Sequence, residues 1–309
     1  MENQTTTSGF TLLGLTDVPY LKPFYFSTFL VMYVITLFGN LLLIIVVRIS
    51  SRLQTPMYFF LSNLSFIDIC FSSTIVPKIL INTLSQDKSI SFLGCAAQTY
   101  FSLGLGATEC FLLTVMAFDR YAAICKPLHY NVIMNKKLCC SLAAGSWTMS
   151  FINATIQIPL TFQLPYCRSH HINHFFCEMP PLFHLSCRDT WINQVSTYIA
   201  TVVIVISSFC LTLVSYIHIV STILKIQSSQ GRQKTFSTCA SHLVVVTLFF
   251  GTIMFMYLRP RSAYSPETDK TVSILYTTVT PMLNPLIYSI RNKEVKHSLR
   301  MEMKDLKKR

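Results

Sequence analysis

Three groups of side chains carry charge, protons or metal-binding atoms, the first two of them within apolar runs. The first is Asp119-Arg120, within Met116-Ala117-Phe118-Asp119-Arg120-Tyr121, at the inner end of an apolar run that begins near Cys95. An acid and a base at the edge of a membrane-length helix need partners or water, which marks Arg120 as functional; the plainer alternative is a basic residue that only marks a cytosolic helix end. The second group is a pair of acids. Asp68 lies about halfway along one apolar run, and Glu109 lies eleven residues before Arg120, about three turns away on the same helical face. Two carboxylates facing each other in a core imply a bound cation or one proton held between them. General acid–base catalysis would also use such a pair, but a dry location without a nucleophile speaks against it. The third group, between Pro165 and Trp191, contains Cys167, His170, His171, His174, Cys177, His184 and Cys187. Metal ligation and disulfide formation compete there. Finger-like Cys spacing is absent and the segment falls on the oxidising side, which favours disulfides.

The surrounding elements must hold these groups in a bilayer. Of 309 residues, 51% are hydrophobic and only 12% charged, too few charges to cover a soluble domain of this length. Apolar windows at Phe24–Val47, Met57–Leu80, Cys95–Tyr121, Cys139–Leu160, Val195–Leu224, Phe236–Leu258 and Val272–Ile290 are each long enough to cross a ~30 Å hydrocarbon core. The composition therefore predicts an all-α membrane protein, a bundle of seven transmembrane helices over 24–290. An extracellular N-terminus occupies 1–23 and a cytoplasmic tail occupies 291–309. Most of the 25 Lys and Arg residues lie beside alternate span ends, at Arg48, Arg52, Lys126, Lys136, Lys137, Lys225, Arg232 and Lys234 and along the tail. By the positive-inside rule that side is cytosolic, the N-terminus is outside, and the chain is a multi-pass plasma-membrane protein. The net charge of +12 then reads as topology and attraction to anionic lipid. Dispersed over short loops, it gives no support to a nucleic-acid role.

Residues 1–20 lack the apolar core of a cleavable signal, so the first span is expected to serve as its own. Asn3-Gln4-Thr5 is a glycosylation acceptor on the outer side; Asn63-Leu64-Ser65 and Asn153-Ala154-Thr155 match the pattern but fall inside spans. Asn40 in the first span needs a hydrogen-bond partner within the bundle. Pro56 fits a helix start. Trp147, among small residues of the fourth span, reads as packing. About a dozen polar residues are expected between the fifth and sixth spans. Pro285 is expected to permit a kink, with Asn284 as the replacement partner for the freed backbone. Asn292–Met303 alternates basic and apolar residues, as a short amphipathic helix on the inner surface would. Cys95, Cys167, Cys177 and Cys187 are outside, an even number that allows three pairings.

With these residues placed, the chain resembles a rhodopsin-like G-protein-coupled receptor and, within that group, an olfactory receptor of the large terrestrial-vertebrate type. The general marks are Asn40, Asp68, Cys95, Asp119-Arg120-Tyr121, Trp147, Tyr216 and Asn284-Pro285-Leu286-Ile287-Tyr288. The more specific ones are Pro56-Met57-Tyr58-Phe59-Phe60-Leu61, Met116 through Cys125, Ser215-Tyr216 with Ile219, Phe236-Ser237-Thr238-Cys239-Ala240-Ser241-His242, and Pro281 through Asn292. One departure is Phe249-Phe250-Gly251, where the family usually has Phe-Tyr-Gly.

The resemblance implies a receptor, not an enzyme, that binds a small volatile odorant inside the bundle and activates a stimulatory, olfactory heterotrimeric G protein to raise cyclic AMP. It implies a coupling switch of Asp119, Arg120, Tyr121, Tyr216, His242, Asn284, Pro285 and Tyr288. Cys95–Cys177 and Cys167–Cys187 are the implied disulfides, with Cys95–Cys187 as the main alternative. No cofactor is expected apart from an allosteric sodium ion at Asp68 and Glu109, for which a shared proton is the alternative. Ligand contacts are expected from Ser102, Leu103, Gly106, Thr201, Ile204, Phe250, Ile253, Tyr257 and Thr277, with Phe250 making an apolar floor. A transporter or channel is the competing class; the seven spans lack the internal repeat such a protein shows.

Overall fold

A computed structural model describes residues 9–16, 18–167, 169–257, 265–291, Val295 and Ser298, the side chains at 234, 238, 257, 266 and 289–291 excepted. Asn3 lies outside these residues, as does most of the expected amphipathic helix Asn292–Met303. Val295 and Ser298, which are described, are buried, and Ser298 Oγ lies 3.1 Å from Ser50 Oγ.

Among the described residues, seven long helices form the bundle. They are α1 (Lys22–Ile49), α2 (Pro56–Leu84), α3 (Phe92–Cys125), α4 (Lys136–Phe162), α5 (Trp191–Leu224), α6 (Ser229–Tyr257) and α7 (266–291). Five of them, α1, α2, α3, α5 and the 239–256 part of α6, are long and apolar enough to cross a membrane on composition alone. The remaining two, α4 and α7, are the ones diluted by small and hydroxyl side chains. These let α4 approach closely: a Cβ at Gly104 would sit 2.9 Å from the Phe151 ring. Trp147 stacks on Phe151 with centroids 5.9 Å apart and donates to Asn63 Oδ1 at 3.3 Å.

Two expectations change, one about the connection after α5 and one about the partner of the carbonyl that Pro285 frees. The polar stretch after α5 is mostly helical. Ser228 Oγ caps the new helix by accepting from Gly231 N at 3.2 Å, which leaves only 225–228 as a link. Helix α7 also runs through Pro285 without a break. Proline has no N–H for Pro281 O, and that freed carbonyl is taken by Asn40 Nδ2 at 3.1 Å, not by Asn284. The partner Asn40 needs and the donor Pro285 lacks are thus supplied by one contact between α1 and α7. The irregular turns lie upstream, as π-helical stretches at Val202–Ile206 in α5 and Leu275–Val279 in α7.

At the other end of the bundle sits a small sheet that hydropathy did not signal. Strand β1 (Gly9–Leu12) pairs antiparallel with β2 (Ser89–Ser91) and parallel with β3 (His171–Ile172). Alternation in β1 buries Phe10 and Leu12 against Cys95, Tyr166, Ile172 and Cys177 while Gly9 and Thr11 stay half-exposed. Phe10 meets Tyr166 edge-on at 5.2 Å. Beside the sheet, Cys95–Cys177 ties the start of α3 to the 163–190 loop, and Cys167–Cys187 closes the loop on itself, with Cα separations of 5.5 and 5.8 Å. In the chain-entropy model the shorter closure contributes about 3 kcal/mol. A short helix, Met179–Leu185, buries its apolar side chains under this cap.

Candidate functional site

Between α3, α4, α5, α6 and the loop lies a cavity of about 100 Å³. It is smaller than drug-sized pockets of roughly 300–1,000 Å³ and close to cavities of about 150 Å³ that hold benzene. Ser102, Leu103, Gly106, Thr201, Ile204 and Ile253 all line it. At Gly106 a Cβ would meet only Phe71, at 3.9 Å, so the missing side chain leaves open space.

Two expected wall residues lie elsewhere. Phe250 is buried against Phe209 with rings 5.8 Å apart, and its neighbour Phe249, about 100° away around the helix, faces the cavity. Thr277 bonds Ser273 O at 2.6 Å, and Tyr276 takes the lining position. The π-helical turn there fits an extra residue into one turn, so a 3.6-residue period projects the wrong side chain. The apolar floor expected from Phe250 is therefore made by Phe249 and Phe71. The Tyr257 side chain lies outside the described residues. Ser102 donates to Gln98 O at 2.7 Å and so does not need a ligand for its proton. Asn153, Gln157, Phe176, Glu178 and Tyr276 line the cavity unforeseen. Phe176 and Glu178 flank Cys177 in sequence, and a disulfide to the top of α3 could have signalled that they fold inward.

One turn deeper is an oxygen-rich core. Asn284 Nδ2 donates to both oxygens of Asp68 at 3.1 Å, while Glu109 Oε1, Asn284 Oδ1 and Ser72 Oγ are buried without partners among the described residues. Asp68 and Glu109 are close enough to sense each other's charge. The atoms left over are all oxygens, which is the donor set a hard cation takes.

At the far end of α3, Arg120 Nη2 lies 3.2 Å from Asp119 Oδ2, and Asp119 is fully buried. Tyr130, from the turn after α3, donates to Asp119 Oδ1 at 2.8 Å, a second restraint that the sequence did not reveal. Tyr216 on α5 and His242 Nδ1 on α6 are 2.6 Å apart and stacked. The Tyr288 hydroxyl is buried and unpartnered among the described residues. Tyr121 leans on the His218 ring with centroids 5.7 Å apart. Among the described residues Arg120 is thus held by one acid.

Comparison with known proteins adds a family. The sequence profile described as "Olfactory receptor" matches residues 29–305. Olfactory receptor 2G6 of Homo sapiens is 51% identical over 298 residues, covering 96% of this chain and 94% of the relative. The chain belongs to the olfactory receptor family. Olfactory receptor 5AP2 of Mus musculus is 52% identical over 299 residues (97% and 94% covered), and Olfactory receptor OR9H1 of Homo sapiens is 51% identical over 306 (99% of each). The protein is accordingly an odorant receptor of the G-protein-coupled class, a multi-pass plasma-membrane protein and not an enzyme.

In this receptor the cap over the cavity carries a buried imidazole. His174 is 2% exposed, packed between Phe175 and Phe176, with both ring nitrogens unpartnered among the described residues. Burial, aided by the charge of Lys270, pushes its pKa down to about 3. A neutral ring 3.9 Å from the Glu178 carboxylate is not an ion pair. The opened loop would bind a proton near pH 6.5 and the closed one only near 3, so closure is fully favourable above 6.5 and weakens as pH falls toward 3. The expected slope approaches about 1.4 kcal/mol per pH unit. With the intrinsic pH dependence of amide exchange divided out, the protection factors of residues 170–178 should fall on going from pH 7 to 5, and His174→Phe should flatten that dependence; equal profiles would remove His174 from the account.

Proposed function

We propose that the receptor binds small volatile molecules in the cavity under the loop and activates an olfactory, stimulatory G protein that raises cyclic AMP, with its N-terminus outside and the Arg120 end in the cytosol. The observation that carries this reading is that α3 lines the cavity at Gly106 and ends in the Asp119–Arg120 latch. A guest that reorients α3 acts on both ends of one rigid rod. Ligand binding shifts the resting population only to the extent that the guest fits the open arrangement better. Arg120 is then released from Asp119 toward the G protein, and Tyr216 and Tyr288 close in behind it. The clustering of basic residues on the Arg120 side supports that orientation and the match to an anionic leaflet. A panel of volatile compounds on cells expressing the receptor with the olfactory stimulatory G protein, read by a cyclic AMP reporter, tests it. Silence across the panel from surface-expressed receptor, or a signal through another G protein class, overturns the coupling.

The oxygen-rich core sets the resting state. Asp68, Glu109, Asn284 and Ser72 would hold a sodium ion, which would supply the positive charge that two buried carboxylates lack; a proton shared by the acids is the other solution. Glu109→Gln removes one charge and the need for either. Agonist potency in that variant should lose its dependence on sodium and pH. If the wild type shows no such dependence, the core is a plain hydrogen-bonded network around Asn284.

A further inference from the structure

Asn153 is a glycosylation look-alike that the bilayer hides, and the receptor has another use for it. It sits in the middle of α4, half-buried, with its side chain in the cavity wall and no hydrogen bond to any described residue. An amide in such surroundings without a partner is costly and calls for one.

The rest of the wall shows why this amide stands apart. Ser102 donates to Gln98 O, Thr99 to Cys95 O, Thr197 to Asn193 O and Thr201 to Thr197 O. Gln157 spends its NH₂ on Ser196, and Tyr276 donates to Glu178. Every one of these protons is committed within the protein. What remains free in the wall is acceptor capacity on those oxygens, together with Glu109 Oε1. Asn153 alone among the described lining residues brings both an uncommitted N–H donor and a carbonyl acceptor, the weak Cys110 thiol aside.

We propose that Asn153 is the specificity-determining contact of the cavity and selects guests whose polar group both accepts and donates, small alcohols and phenols above ketones, esters and ethers of the same skeleton. The guest oxygen accepts from the Asn153 amide. Its hydroxyl proton goes back to the Asn153 carbonyl, so one amide satisfies the guest on both counts. A ketone fills only the first role, and a hydrocarbon fills neither and leaves the amide bare. Selection by a polar group that would otherwise be left unpaired is the strongest form of discrimination a pocket has.

This inference rests on the cavity being the ligand site, and the experiment separates the two. Matched alcohols, ketones and hydrocarbons of one skeleton are run as agonists on the wild type, Asn153→Leu, Asn153→Ala and Gly106→Leu, with surface expression measured for each. In the wild type the alcohol should lead the ketone by about tenfold in potency, the equivalent of one neutral hydrogen bond. Asn153→Leu should erase the ranking while keeping a response to the hydrocarbon, and Asn153→Ala, which removes the amide without adding bulk, should bring the alcohol and the ketone to equal potency. An unchanged ranking in Asn153→Leu, where Gly106→Leu silences the receptor, overturns the role of Asn153. If Gly106→Leu leaves all responses intact, the cavity reading itself fails and this one with it. Should Asn153→Leu not reach the surface, Asn153→Ala decides alone: an unaltered ratio of alcohol to ketone overturns the proposal.

Discussion

A receptor carrying Arg120→Ala is expected to reach the cell surface, bind agonist and produce no cyclic AMP. Among the described residues Arg120 is the only cation paired with the buried Asp119, and its side chain is 15% exposed at the end of the bundle, so it can exchange one partner for another. Removing it takes away the group that a G protein would engage. Asp119 keeps Tyr130 as a donor, so the fold loses a charge partner without losing every restraint. A companion variant gives the opposite sign. Tyr130→Phe deletes a hydrogen bond to a carboxylate, worth about 1.5–3 kcal/mol, and leaves Arg120 in place. It loosens the resting latch and should raise basal cyclic AMP several-fold. Arg120→Ala with normal signalling would sink the switch assignment; Tyr130→Phe without a rise in basal activity would confine Tyr130 to packing.

The second large effect is expected at Gly106. Helix propensity favours any ordinary residue over glycine there by about 0.5–1 kcal/mol, so substitution does not weaken α3. A first carbon fits, since only Phe71 comes within 4 Å of it. An isobutyl group, however, takes up most of a cavity of about 100 Å³. Gly106→Leu should therefore cost every agonist at least about a hundredfold in potency, some 3 kcal/mol or more, with surface expression intact. Gly106→Ala should spare the smallest agonists and penalise the bulkier ones. Equal potency across the three receptors would move the ligand site out of this cavity.

The contrast between these two positions shows what hydropathy and spacing can reveal. Arg120 and Asp119 are adjacent, so their pairing was written in the local sequence, and the seven apolar windows located each helix core because burial in lipid leaves a compositional trace. Gly106, Ser102 and Leu103 followed from a regular 3.6-residue period on α3. Phe250 and Thr277 did not, because one was chosen by analogy with a family motif and the other lies in a π-helical turn that no propensity announces. Tyr130, Asn153 and the Asn40–Pro281 contact escaped for a different reason. Each depends on which helices become neighbours, 241 residues apart in the last case, and a single chain read in order has no term for that. The sheet under the loop was missed because four polar and apolar residues near a terminus carry no recognisable strand signal until β2 and β3 stand on either side of them.

That sheet bears on how the receptor can be handled as a reagent. Because Gly9–Leu12 lies between the strands at 89–91 and 171–172, it is the seam that joins these two edges of the cap. An epitope placed ahead of Gly9 leaves these pairings in place, whereas a leader that replaces residues 9–12 unpicks the seam and lets the loop lift from the cavity. Agonist potencies measured on chimeras whose exchanged segment stops before Gly9 therefore report this receptor's own lid, and those whose exchange runs past Leu12 report a hybrid.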